Sequence, residues 1–186
     1  MTLKRPLIAV YGSSTVKEHE DAWRLSHQLG AELARAGADV MTGGYSGAME
    51  ACSRGCHEAG GHVVGVTVDL FEARGPVNRW VKERVHTSDL FERLRTIVSR
   101  ADGFIAAPGS VGTLAELFLA WTLISVRAHP APPLVLLGDQ WPRWLEAQKH
   151  PHLVLPHLFE HVRTAATPDE AVRLVLSGAP SAGARP

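Results

Sequence analysis

Apolar runs of strand length, each ending in a glycine-bearing turn and followed by a segment with helical spacing, recur along most of this 186-residue chain. That pattern leaves few folds open. A strand apolar along its whole length needs cover on both faces, and a strand–helix–strand crossover brings the next strand in parallel. Leu7–Tyr11 (LIAVY) is such a run, closed by Gly12-Ser13-Ser14. Residues 18–36 place Trp23, Leu25, Leu29, Leu33 and Ala34 at helical intervals, and Gly37 stops them. Residues 38–42 read as a second strand broken by Gly43-Gly44. Residues 46–59 read as a helix closed by Gly60-Gly61, and 62–68, rich in β-branched residues, as a third strand.

The rest continues the alternation. Residues 69–80 carry a Gly-Pro pair and little periodicity and read as a loop near the site. A short strand over 81–86 precedes a helix running through Arg100, with Ser88 or Asp89 as its N-cap. Residues 103–107 form the next strand, 108–113 a turn, and a helix follows to about Arg127. Residues 130–133 break the chain, Leu134–Leu137 is another buried strand, and 140–149 a short helix. Val162–Ala165 reads as an edge strand, and 168–176 as a last helix capped by Thr167. The expected fold is α/β: a Rossmann-like, doubly wound, mostly parallel sheet with helices on both faces, in one domain over residues 1–176. Residues 177–186 (SGAPSAGARP) are expected to be a disordered tail.

With 45% hydrophobic residues, the chain can fill one such core. Acidic and basic residues number 19 each, so no global field draws in nucleic acid or an anionic membrane, and any anionic ligand must be held locally. The apolar runs fall far short of the roughly 18 to 20 residues of a membrane helix, and no leader is recognisable at the start. The expectation is a cytoplasmic protein with no membrane and no nucleic-acid partner. Cys52 and Cys56 lie one helical turn apart with only His57 adjacent, which reads as core packing rather than a zinc site or a redox pair. Neither a metal nor a cofactor is expected.

Three glycine-rich turns follow three predicted strands: Gly12-Ser13-Ser14, then Gly43-Gly44-Tyr45-Ser46-Gly47, then Pro108-Gly109-Ser110-Val111-Gly112-Thr113. In an open parallel sheet they fall on one side, where ligands bind. Glycines admit a phosphate close to the backbone, and the amides and dipole of the next helix favour its charge. Ser13, Ser14, Ser46, Ser110 and Thr113 add hydroxyl donors. Neither a P-loop nor a G-x-G-x-x-G fingerprint is present. Glu116 falls at the start of the helix facing this loop, but Thr113-Leu114-Ala115-Glu116 also fits a capping box. Arg93 lies among Glu92, Arg95 and Arg100, where a solvated charged face is the alternative. Of the five tryptophans, most read as core or interface packing, with Trp80 the candidate for stacking on a base.

Pro108 through Glu116 (PGSVGTLAE) resembles the PGGxGTxxE signature of the Lonely Guy (LOG) family of nucleoside-monophosphate phosphoribohydrolases. In the same order, residues 10–14 (VYGSS) resemble the family's first loop. Gly43 through Met49 resembles its GGGxxGLMG loop, and Ala59-Gly60-Gly61 with Val63–Val66 resembles AGGxVIGV. Leu90-Phe91-Glu92-Arg93 stands in the place of MHERK. The resemblance covers about Leu7 to Leu176. It implies hydrolysis of the N-glycosidic bond of a purine nucleoside 5′-monophosphate, with Arg93 and Glu116 catalytic. Gly12, Ser13, Ser14, Gly43, Gly44, Ser46, Gly47, Met49, Pro108, Gly109, Ser110, Val111, Gly112 and Thr113 would hold the nucleotide, in a homodimer.

Two positions depart from the pattern: Ser110 replaces the second glycine of PGG, and Leu94 replaces the lysine after the MHERK arginine. The chain also resembles molybdenum-cofactor carrier proteins, including the run Gly47-Ala48-Met49-Glu50-Ala51. A non-catalytic carrier of a phosphorylated nucleotide or pterin is therefore the alternative. A lysine decarboxylase, a label long attached to such sequences, needs a Schiff-base lysine, yet Lys4, Lys17, Lys82 and Lys149 all lie outside the ligand loops.

Overall fold

The structure, a computed structural model, describes residues 5–73, 75–126 and 132–178. In chain order it runs β1 (Leu7–Tyr11), α1 (Asp21–Arg35), β2 (Asp39–Thr42), α2 (Ala48–Glu58), β3 (Val63–Val68), a single turn α3 (Asp69–Glu72) and β4 (Glu83–Thr87). It continues with α4 (Leu90–Arg100), β5 (Gly103–Ala106), α5 (Val111–Ser125), β6 (Leu134–Leu137), α6 (Gln140–Ala147), a 3-10 helix (Pro156–His161), β7 (Val162–Ala165) and α7 (Pro168–Ser177). The strands form one seven-stranded sheet in the order β4-β3-β2-β1-β5-β6-β7, and every pairing is parallel. This is the α/β, doubly wound arrangement expected from the alternation. The chain winds outward from β1 to β4 and then returns to lay β5 on the free side of β1. The connections leaving β1 and β5 therefore diverge and open a crevice at their carboxyl ends.

The period of two along each strand sorts side chains into two cores. Ile8, Val10, Val40, Ile105 and Val135 meet Leu29, Leu33, Cys52, Cys56 and Val175 beneath α1, α2 and α7. Ala9, Tyr11, Met41, Val66, Phe104 and Leu136 meet Ile97, Leu117, Trp121 and Ile124 beneath α4 and α5. Ile8, Leu33, Phe104 and Leu136 are fully enclosed, and each such side chain contributes about 1.5–3 kcal/mol by leaving water. Both cysteines are free and buried in the first core, the packing role that their spacing predicts.

Several boundaries differ from the sequence reading. The first helix begins at Asp21 rather than at residue 18, because Glu20 is extended and its N–H closes a turn on the Lys17 carbonyl. Residues 69–80 open with the helical turn α3, too short to leave a periodic trace. Val111, Gly112 and Thr113, read as turn, already belong to α5, whose N-cap is the extended Ser110. Ser177, read as tail, ends α7, and the 3-10 helix had no sequence signal. The expected tail from 179 onward, the end of the fifth helix at Arg127 and the start of the break at 130 lie outside the described residues. The N-caps Asp89 and Thr167 form as expected, accepting from the amides of Glu92 and Glu170. Among the described residues, no helix is long and apolar enough to cross a membrane.

Asp102 anchors the central strand. Its carboxylate accepts the Leu7 N–H at 2.9 Å, and its own N–H donates to the Leu7 carbonyl at 2.8 Å. Asp102→Ala is expected to cost about 1.5–3 kcal/mol, the range for a hydrogen bond to a charged group. Thermal unfolding followed by circular dichroism should show this as a midpoint about 3–10 °C lower.

Candidate active site

The three glycine-rich loops are knitted together by their own backbones. Ser13 N–H donates to the Pro108 carbonyl at 3.1 Å, and Ala48 N–H donates to the Ser13 carbonyl at 2.8 Å. Gly47 makes the crossing possible: its φ is +72°, and a Cβ there would lie 2.4 Å from the Ser13 carbonyl oxygen. Not every predicted donor stays available. Ser46 spends its hydroxyl on the Ser14 carbonyl at 3.0 Å, and the Ser13 hydroxyl bonds Thr15. Gly44 turns away toward Gly65 and Thr67 of β3. Thr113 is buried and packs against Gly109.

The N-terminus of α5 is the exposed part of this cradle. Leu114 N–H bonds the Ser110 carbonyl at 3.0 Å, so the amides of Val111, Gly112 and Thr113 precede the helix's own ladder, as at any helix start. Ser110 makes no side-chain cap, and its backbone, at φ −106° and ψ −161°, is ordinary extended chain. Replacing glycine by serine here therefore costs no backbone strain and leaves a hydroxyl at the rim.

Arg93 and Glu116 meet at the floor. Arg93 Nη1 lies 3.4 Å from Glu116 Oε1, with the side chains 5% and 14% exposed. The solvated-face alternative for Arg93 is thereby excluded. So is the capping box, because the N-cap position of α5 is Ser110, which puts Thr113 inside the helix, and the Glu116 carboxylate turns to the guanidinium. The guanidinium is enclosed on several sides. Its Nε donates to the Val66 carbonyl at 2.9 Å, its Cζ lies 5.4 Å from the centre of the Phe71 ring, and Gly43 lies directly against it. A Cβ at Gly43 would come within 2.0 Å of Arg93 Nη2 and 2.6 Å of Met49 Sδ, so this glycine is the space the guanidinium occupies. Burial pushes the Glu116 carboxyl above the usual carboxylate range, and Arg93 opposes the shift without cancelling it.

The pattern of residues did not single out Tyr11, Phe71 or the Val66 carbonyl. Tyr11, the last residue of β1, read as one more strand residue, although a hydroxyl-bearing ring directly before Gly12 was a usable signal. Phe71 sits on α3, within the segment that looked irregular. That segment does border the site: Asn78 N–H donates to the Gly44 carbonyl at 2.9 Å and its side chain to the Tyr45 carbonyl at 3.0 Å. Trp80 packs on Arg54, Arg79 and His57, not on Arg93 or Glu116. Among the described residues, Asp69, Glu72 and His86 bring metal-type ligand atoms within 4.8 Å of one another. They are exposed, and Arg84 bonds both Glu72 and His86, which makes the group an ion-pair cluster.

A seven-stranded parallel sheet with three glycine-rich loops at its switch point and an enclosed arginine–carboxylate pair beside them defines a Rossmann-like α/β protein. The family profile described as "Possible lysine decarboxylase" matches residues 49–175. The cytokinin riboside 5′-monophosphate phosphoribohydrolase of Mycobacterium tuberculosis is 33% identical over 135 residues, spanning 72% of this chain and 71% of that one. The enzyme LOG of Oryza sativa subsp. japonica, with the same activity in its name, is 33% identical over 126 residues, 66% of this chain and 52% of that one. Among solved structures, the molybdenum cofactor binding protein of Rippkaea orientalis superposes with a TM-score of 0.74 at 25% identity, covering 95% of this chain and 98% of that one. The chain belongs to the LOG family of phosphoribohydrolases. Among the described residues the site contains no lysine for the chemistry in that description: Lys17, Lys82 and Lys149 are exposed and lie outside it.

The raised Glu116 carboxyl has a stability consequence. An acid whose folded value lies above its unfolded one binds more protons when folded, so its burial penalty is absent at low pH and grows as pH rises through that window. Glu116→Gln keeps an acceptor for Arg93 and removes the charge. Its thermal midpoint should match or exceed that of the wild type at pH 7.5, and the difference should close as pH falls toward 4.5. A variant less stable at pH 7.5 would show the pair to be net stabilising.

Proposed function

We propose that this chain hydrolyses the N-glycosidic bond of a purine nucleoside 5′-monophosphate such as AMP, releasing the free base and ribose 5-phosphate. The observation that carries the reading is the buried meeting of Arg93 and Glu116 beneath the three loops. The 5′-phosphate sits against the first turn of α5, where the Val111, Gly112 and Thr113 amides and the helix dipole favour an anion and Ser110 adds a hydroxyl. Gly12, Ser14, Gly43, Gly47, Met49, Pro108 and Gly109 shape the approach. As the bond between C1′ and the base nitrogen breaks, positive charge develops on the ribose. The Glu116 carboxylate stabilises it and orients the water that adds to C1′. The base leaves with the electron pair of the broken bond and takes up a proton, while the water that bonds to C1′ gives one up, so that one water is consumed overall. Arg93 holds substrate oxygens against the carboxylate.

A carrier of a phosphorylated nucleotide or pterin is the second reading, favoured by the close superposition on the molybdenum cofactor binding protein. Incubating the purified protein with AMP and other nucleoside monophosphates, followed by chromatography of base and ribose 5-phosphate, separates the two. Release by the wild type is expected, with Arg93→Ala and Glu116→Gln lower by about 10²–10⁴-fold and nucleotide binding by Glu116→Gln retained. Saturable binding without release would favour the carrier.

The protein works in the cytoplasm as a homodimer on this reading, consistent with its free thiols. Helix α5 supports the dimer: it is apolar around its circumference, yet Val111 and Phe118 along it and Val126 just past its end are exposed. Phe118→Glu is expected to halve the mass measured by light scattering; an unchanged dimer would move the interface elsewhere.

A further inference from the structure

We propose that Tyr11 is a positioning residue of this site, its hydroxyl donating a hydrogen bond to the Glu116 carboxylate when substrate is bound. The inference rests on the phosphoribohydrolase reading above. Tyr11 is 3% exposed, on the sheet face covered by α4 and α5, the helices that carry Arg93 and Glu116, and its ring stacks on Phe104 with centroids 6.1 Å apart. The hydroxyl is buried and has no hydrogen-bond partner among the described residues. Leaving a buried hydroxyl unbonded is unfavourable, and phenylalanine would fill the same space without that cost. A hydroxyl kept there has work that the resting arrangement does not display.

Its surroundings identify that work. The ring packs in the core with Ile97 and Leu117, from the helices that carry Arg93 and Glu116, and the charges of both groups act on the buried hydroxyl. Among the described residues, Glu116 is held by one long side-chain contact of 3.4 Å to Arg93, while the Arg93 Nε is committed to the Val66 carbonyl. A carboxylate has acceptor capacity well beyond one such bond. When the oxygens of an anionic substrate take up the guanidinium, the carboxylate loses part of its hold just as its charge and aim are required. The Tyr11 hydroxyl is then the nearby donor able to keep Glu116 ionised and oriented.

Tyr11→Phe tests this through kcat, KM and the pH dependence of AMP hydrolysis. Expected are a kcat about tenfold lower, a KM within about twofold, and an acidic limb of the kcat profile displaced to higher pH, with thermal stability equal to or above wild type. In a Glu116→Gln background the same change should alter kcat less than about twofold, because the acceptor's charge is already gone. A variant matching the wild type in kcat and acidic limb, or one that loses stability with an unmoved limb, overturns the assignment while leaving the phosphoribohydrolase intact. A wild type that cleaves no nucleoside monophosphate overturns both.

Discussion

Arg93, a residue 4% exposed, needs partners for its guanidinium on every side, because polar groups taken out of water without hydrogen bonds are costly. Arg93 meets that demand with contributions from four parts of the fold. The Val66 carbonyl comes from β3, the carboxylate of Glu116 from α5, the Phe71 ring from α3, and the vacant side-chain position of Gly43 from the end of β2. None of these elements is adjacent to α4 in sequence. The parallel order of the sheet brings their carboxyl ends to one level, and the burial of Arg93 depends on that register.

The same geometry sets the electrostatics. Desolvation raises the Glu116 carboxyl, and Arg93 lowers it by less, so burial outweighs the neighbouring charge and electrostatic interactions in this enclosed space are strong. Ahead of it stands the first turn of α5, with its free amides and the Ser110 hydroxyl. Both features belong to one helix: its N-terminus follows the extended Ser110, and Glu116 meets Arg93 in its second turn. The two family departures fall on this frame without breaking it. Ser110 adopts unstrained backbone, and Leu94, partly buried on α4, removes a cation without disturbing the Arg93 contacts.

The sheet and its order of elements were legible because they rest on local periodicity. LIAVY and LVLL can only be buried strands, and Gly37, Gly60-Gly61 and Thr167 punctuate helices by their own chemistry. The elements that were missed, α3 and the 3-10 helix, are too short to complete a period, and the late start of α1 was decided by a turn closing on Lys17. Trp80 shows the limit for side chains. Its position next to an irregular segment pointed toward the base, whereas the packing of α2 gave it Arg54 and His57 instead.

The sequence by itself determined the class of fold, the three glycine turns and the ordered motifs that relate this chain to the LOG family, because periodicity, glycine placement and motif order are properties of the linear chain. It left two readings open for each of the decisive side chains: Glu116 as cap or carboxylate of the site, Arg93 as surface charge or buried cation. Only the tertiary structure decided between them. Whether a carboxylate turns to its own helix or to an arginine 23 positions earlier in the chain depends on which elements the sheet brings together and on how much water remains between them, and neither is encoded within reach of a local pattern.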